Sequence, residues 1–340
     1  MAPGSPTLSP TSPNHAESRT WRGRVAADPA QFIARIRAFQ LELLQIDQGK
    51  FAANGSQARI GEILLSRAEF GPATVQTWTS PQQSLTLAVK TTAAPALWHG
   101  VDFRSTDVLL VGPNTAAELV SKAGFGIAAV TFLGSASHRA AELFGPGIFD
   151  GKPILMRSPA PAAVDELRTA IDALLLDSSA PAYAVASGRL AGSEGLLRAA
   201  ALALAGSIEI GPRNHGARRA QAVERALPAI RKQPTEHLNL ADLCRITGAS
   251  ERTLRIAFVE RYTVPPARFM KAYRLNHLRQ DLAGLAAQGP RISQIANVWG
   301  FWHLGQLAQD YNNWFGELPS ATYRRNLRHP RAHISARREH

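Results

Sequence analysis

The residues best suited to chemistry are arginines, glutamines and small apolar groups at helical spacing in the last third of the chain. What they suit is hydrogen bonding to base edges rather than work on a covalent bond. In LADLCRITGASERTLRIAF, Leu240, Leu243 and Cys244 share an inward helix face. Gly248 lets the chain turn sharply, and Ser250 is an N-cap for the next helix. Leu254, Ala257 and Phe258 make the buried stripe of that helix, and Arg252, Arg255, Ile256 and Val259 share the opposite face. An arginine there can grip guanine O6 and N7, and Ile256 or Val259 can touch a thymine methyl.

The pattern recurs in ISQIANVWGFWHLGQLAQDY. Ile292, Ile295, Ala296 and Val298 point inward, Gly300 makes the turn, and Leu304, Leu307 and Tyr311 form the next stripe. Trp302, Gly305, Gln306, Gln309 and Asn312 occupy the outer face, where amides suit adenine N6 and N7. Between the copies, Pro266 to Leu285 reads as one helix of about 20 residues, roughly 30 Å long. One turn of B-DNA is about 34 Å, so a single chain can offer both helices to successive major-groove segments.

The charge falls in the same place. The net charge is +12, and residues 213–340 hold 21 Lys and Arg against 9 Asp and Glu, whereas residues 1–212 hold 17 of each. The whole excess therefore lies beside the two helix pairs, as in a neutral domain joined to one that binds a polyanion. At 340 residues, with 45% hydrophobic and 19% charged, the chain suits two ordinary domains and is not disordered overall.

Pro29 to Gln48 carries apolar residues at helical spacing and is expected to be a long helix ended by Gly49. Ile60 to Phe70, Thr74 to Trp78, Leu85 to Lys90, Val108 to Val111 and Ile127 to Phe132 read as strands of a small sandwich or barrel. Ala162 to Leu176 and Ser193 to Ala205 read as helices suited to dimerisation. The expected fold class is α+β, a β-barrel-like, cupin-like N-terminal domain with helices followed by an all-α double helix-turn-helix domain. The expected boundaries are 1–15 disordered tail, 16–205 sensor and dimerisation domain, 206–217 linker, 218–328 DNA-binding domain and 329–340 basic tail.

From near Ala222 to Arg325 the sequence resembles the AraC/XylS transcription regulators, through YRLNHLRQDL, GFWHLGQLAQDY and FGELPSATYRR. The resemblance implies seven helices with two helix-turn-helix units and a variable companion domain. It places base contacts on Arg252, Arg255 and Ile256, and on Gly305, Ala308 and Gln309. Two positions depart from the family pattern. Thr263 stands where the family often has Gly, and Pro228 interrupts the expected first helix, predicting a kink or a late start. The β-rich part resembles the cupin-like sensor of the subgroup that includes ethanolamine-operon regulators, on the long leading helix, LWHG at Leu97 and VGP at Val111.

Other chemistries find little support. The single cysteine, Cys244, excludes intrachain disulfides and multi-cysteine metal sites, and a structural role suits it better than a redox one. His99 is the one histidine from Phe51 to Phe132, too few for a metal-dependent cupin enzyme, and no G-x-S-x-G elbow occurs. No metal or cofactor is expected, and the expected answer on catalysis is that the chain is not an enzyme. No secretory signal or spanning run is found, so a cytoplasmic protein with no membrane contact is expected. A small-molecule effector would be sought near Trp78, Trp98 and His99. Arg274 and Arg279 suit either phosphate contact or a solvated face. The expected partners are double-stranded DNA, an effector, a second copy of the chain in a homodimer and, for an activator, RNA polymerase. Two alternatives stay open: a constitutive dimeric DNA binder without effector, and an enzyme tethered to DNA by its helix-turn-helix domain.

Overall fold

Two antiparallel sheets and two sets of helices stack in four layers. The computed structural model describes residues 21–22, 26, 28–36, 38–145, 154–176, 192–210, 216–232, 238–284 and 290–328. The expected tails at 1–15 and 329–340 lie outside them. The larger sheet has eight strands, in the order β1 (Trp21–Arg22), β3 (Ala53–Ile60), β4 (Ile63–Phe70), β11 (Phe125–Leu133), β6 (Ser84–Lys90), β9 (Asp107–Val111), β12 (Ile154–Arg157) and β13 (Ile208–Ile210). The smaller has five, in the order β2 (Gln40–Gln45), β5 (Thr74–Thr79), β10 (Ala116–Ser121), β7 (Ala96–Trp98) and β8 (Val101–Asp102).

Between the sheets, Leu43, Trp98, Ala117 and Leu119 meet Phe70, Ala88, Leu109, Val111 and Phe125. The outer face of the large sheet is covered by α2 (Gly134–Phe144), α3 (Pro161–Leu176) and α4 (Gly192–Leu204). The first helix of the chain, α1, is short (Pro29–Ile33). The C-terminal helices are α5 (Ala217–Lys232), α6 (Leu240–Thr247), α7 (Glu251–Tyr262), α8 (Pro266–Gly284), α9 (Ile292–Val298), α10 (Leu304–Phe315) and α11 (Pro319–Arg328). They close over the outer face of the small sheet. Leu44, Ile46, Val75 and Val120 belong to the same apolar cluster as Leu227, Tyr262, Phe269 and Tyr273.

Several sequence expectations change here. The long helix over Pro29–Gln48 is instead α1, capped by the Asp28 carboxylate accepting from Ala30 N at 2.8 Å, followed by strand β2. Leu41 to Leu44 pair in register with β5, and both faces of the strand are covered, so its apolar run carries no alternation. This removes the long leading helix from the subgroup resemblance. Ile60 to Phe70 is not one strand but the end of β3 and all of β4, a hairpin turning at Gly61 with φ +57°. Ile208 to Ile210, within the stretch read as linker, pairs with β12 and extends the large sheet. Helix α5 starts at Ala217 and runs through Pro228, so no late start occurs.

Candidate nucleic-acid interface

Local chemistry sets the first helix pair. Asn239 and Asp242 form a reciprocal capping box, with Asn239 Oδ1 accepting from Asp242 N at 3.0 Å and Asp242 Oδ2 accepting from Asn239 N at 3.1 Å. The Asn239 N–H, with Arg245 beside it, holds the Asp242 carboxyl below its ordinary value. Helix α6 ends at Gly248, φ +70°, and the Ser250 hydroxyl accepts from Thr253 N at 3.2 Å to start α7. Leu254, Ala257 and Phe258 are buried, while Arg252, Arg255, Ile256 and Val259 are exposed along one face. Cys244 is half-buried against the same core. Thr263 makes the turn after α7 in the left-handed region, φ +62°, where the family often has glycine.

The second pair repeats the plan with different details. Gln294 Oε1 accepts from Arg291 N at 2.8 Å at the start of α9, and Gly300 turns the chain at φ +75°. Trp302, Gly305, Gln306, Gln309 and Asn312 are exposed, and Ala308 is half-buried. Two residues read as inward are not: Val298 is 49% and Leu304 46% exposed. Helix α9 is only seven residues long and Leu304 opens α10, so each sits at a helix end that the core does not reach. Gly305, Ala308, Gln309 and Asn312 still fall on one stripe of α10.

Two ion pairs on these faces escaped the sequence reading. Arg255 Nη2 lies 2.7 Å from Glu251 Oε1 one turn earlier, both about 60% exposed. Gln306 donates to Asp310 Oδ1 at 3.2 Å, and Lys271 of α8 pairs with the same carboxylate at 2.8 Å. Carboxylates at i±4 were visible in the sequence and are the signal that would have found the Glu251–Arg255 pair and the Gln306–Asp310 hydrogen bond, whereas Lys271 meets Asp310 only through the fold. Arg279 turns inward at 3% exposure, stacked 4.5 Å from the Phe315 ring and paired with Glu317 at 3.0 Å, so it is no phosphate ligand in this arrangement. Arg274 donates to Leu238 O at 2.9 Å, and burial holds its guanidinium below the ordinary value.

Helices α7 and α10 are both anchored to the small sheet at their C-terminal ends. At the end of α7, Arg261 Nε meets Glu118 Oε1 of β10 at 2.9 Å, Tyr262 donates to Glu118 Oε2 at 3.0 Å, and Arg261 also pairs with Glu224. Burial is the largest single influence and works against the Arg261 charge, but Glu118, Tyr262 and Glu224 together outweigh it and raise the guanidinium above its ordinary value. Burial, reinforced by Glu118, pushes the Tyr262 phenol up as well. At the end of α10, Trp314 Nε1 donates to Gln45 O at 3.1 Å and Gln45 Nε2 donates to Trp314 O at 3.1 Å. Asn276 of α8 exchanges two bonds with the Gln45 backbone at 3.0 and 2.8 Å.

The proposed effector residues separate. Trp78 lines a cavity between the sheets, and Trp98, 5.9 Å away, is 3% exposed in the core behind it. His99 has φ +45° and sits edge-on to Trp98 at 4.7 Å, with Glu118, Arg261 and Glu224 as the charges near it. Burial holds its imidazole below the ordinary value. Among the described residues no group of three or more His, Cys, Asp or Glu could hold a metal ion, and no helix is long and apolar enough to cross a membrane.

With this geometry in hand, residues 243–325 match the helix-turn-helix domain family. Over 98 residues the chain is 34% identical to a probable thc operon regulatory protein of Rhodococcus erythropolis, covering 29% of each protein. Over 101 residues it is 32% identical to a XylDLEGF operon transcriptional activator of Pseudomonas putida, covering 30% of this chain and 32% of that one. The chain thus spans about a third of the length of these curated relatives. A probable AraC family transcriptional regulator from Rhodopseudomonas palustris, solved as a crystal structure, is 31% identical over 31% of this chain and 97% of its own, with a TM-score of 0.29.

Proposed function

We propose, from the similarity of its C-terminal domain to AraC/XylS regulators, that the chain is a member of that family and a sequence-specific DNA-binding transcription regulator, an activator, whose DNA binding responds to a small molecule. The observation that carries this reading is the pair of solvent-facing stripes, exposed Arg252, Arg255 and Ile256 on α7 and exposed Gly305, Gln306, Gln309 and Asn312 with half-buried Ala308 on α10, with Trp302 just ahead of the second. Helix α8, which joins the two units, has 19 residues and is about 28 Å long, comparable to the roughly 34 Å of one DNA turn. Exposed Ile256, Val259 and Trp302 supply apolar contact beside the polar readers.

The function is binding, with phosphate contacts giving affinity that falls with salt and base contacts giving sequence preference. It acts as a homodimer on two half-sites, and as an activator it contacts RNA polymerase. The effector response is supported by the small sheet. Its inner face borders the cavity through Gln76 and Trp78 of β5, and its outer face packs Val75 of the same strand into the helical core. A ligand that moves β5 therefore acts on the layer that holds both reading helices.

The test is selection of genomic fragments by the purified protein at physiological salt, with and without a panel of small metabolites. A motif with two blocks about one turn apart is expected. Arg255→Ala should weaken the selected site by about 1–3 kcal/mol and leave non-specific binding nearly intact. Equal losses on both DNAs would contradict base reading.

A further inference from the structure

We infer that the cavity between the two sheets takes an uncharged ligand, a body of about one ring carrying a neutral hydrogen-bonding head such as a primary amide or an alcohol, and excludes carboxylates and amines. This deepens the effector response proposed above and rests on it for its purpose, though not for its geometry.

The cavity has a volume of about 100 Å³. A dry cavity of ~150 Å³ lined by apolar side chains takes benzene, so at about 100 Å³ a single ring is the upper bound and requires the walls to give slightly. Its walls are aromatic and aliphatic: Phe32 and Phe39 near α1, Leu41 of β2, Trp78 of β5 and Ile127 of β11. Such walls stabilise a ligand through apolar burial and leave its orientation to a few polar groups.

Those polar groups are neutral. Gln57 Nε2 donates to Ser66 Oγ at 3.0 Å, across the register pair of β3 and β4. The Thr86 and Thr131 hydroxyls meet at 2.9 Å. Gln76 is 4% exposed and commits its amide nitrogen to Thr74 Oγ1 at 3.1 Å and to Ser121 Oγ at 3.4 Å. Its carbonyl oxygen makes no hydrogen bond among the described residues, which leaves an acceptor for a ligand N–H or O–H.

One ionisable residue lies among the described lining, Arg67, and its charge is turned away. Successive side chains on a strand alternate faces, so with Ser66 and Ala68 on the cavity side Arg67 points to the opposite side of the large sheet. There it pairs with Asp172 of α3 and with Glu69 at 2.8 Å. Its guanidinium is held above the ordinary value by the hydrogen bond to Asp172. Among the described lining residues a carboxylate entering the cavity would lose its hydration without meeting a free cation, and an amine would meet no anion.

The experiment is calorimetric titration of the full chain with four molecules that share one ring: benzamide, benzyl alcohol, benzoate and benzylamine. Benzamide and benzyl alcohol are expected to bind at least about tenfold more tightly than the two ions, a gap of ~1.4 kcal/mol. Ala129→Leu, which fills the cavity from β11, should abolish binding of the neutral pair. Should that variant fail to fold, Gln76→Leu should weaken benzamide about tenfold while leaving toluene unchanged. Benzoate or benzylamine binding as tightly as benzamide, no binding of either neutral compound at millimolar concentration, or affinities unmoved by both variants would each overturn the inference. DNA retention by the ligand-free protein is measured separately, so failure of the regulator reading shows there and not in the titration.

Discussion

Replacing Glu118 by alanine should loosen the C-terminal helices from the sheet and cost about 3 kcal/mol of stability. Its side chain is 8% exposed and faces Arg261, 14% exposed, at 2.9 Å. Removing one member of a buried ion pair costs ~3–5 kcal/mol because the other charge stays behind without water. Here Arg261 keeps Glu224, whose side chain is 59% exposed, which trims that figure. The Tyr262 hydroxyl also loses its acceptor, and an orphaned buried hydroxyl costs ~1–3 kcal/mol. Urea unfolding followed by tryptophan fluorescence reads the effect, with Glu118→Gln as a control that keeps the shape and removes the charge. A double-mutant cycle with Arg261→Ala isolates the pair. If Glu118→Ala shifts stability by less than about 0.5 kcal/mol, or the coupling energy is near zero, the interface is not held by this carboxylate.

Three further outcomes follow from individual residues. Glu251→Gln should free Arg255 from its intrahelical partner and tighten DNA binding by no more than about 0.5 kcal/mol, since an exposed i,i+4 pair is weak; anisotropy on the selected site showing weaker binding would contradict this. Thr263→Gly should stabilise the protein by about 0.5–1 kcal/mol. Relief of a left-handed non-glycine residue gives ~1–2 kcal/mol and glycine's extra unfolded-state entropy takes back ~0.5–1; a lower melting temperature would refute it. His99, held below its usual pKa, is neutral when folded and takes up its proton on unfolding. Its contribution is therefore fully present above the unfolded value of about 6.5 and is lost as pH falls below it. Urea midpoints should decline more between pH 7 and 5 in the native protein than in His99→Asn, and equal declines would remove His99 as the cause.

The helical third was legible because its period, caps and turns agree. Gly248, Ser250 and Gly300 stand where the backbone needs them, and the Leu254, Ala257 and Phe258 stripe has one solvent-facing side to contrast with. The strands were legible where turn residues bracket them, as at Thr74–Thr79, and not where both faces are covered, as in β2, whose Leu41 to Leu44 fits either period. Strand β13 has three residues and exists only through pairing with β12 across a separation no local pattern encodes. The same holds for the site. The exposure of Arg252, Arg255 and Gln309 follows from spacing, whereas Glu118 reaching Arg261 and Tyr262, or Gln57 facing Ser66, depends on where distant segments meet.

The apolar cluster under the small sheet bears on how such a chain can be recombined. Leu44, Ile46, Val75 and Val120 supply part of the core in which Leu227, Tyr262 and Phe269 are buried. A chimera spliced just before Ala217, joining this reading domain to a foreign sensor, would inherit an oily underside cut to a surface left behind. The workable unit of exchange is the helices plus the outward-pointing half of strands β2, β5 and β10. Sequence drift on one side of that seam has to be answered on the other, which makes the seam, more than the linker, the boundary along which relatives can be crossed.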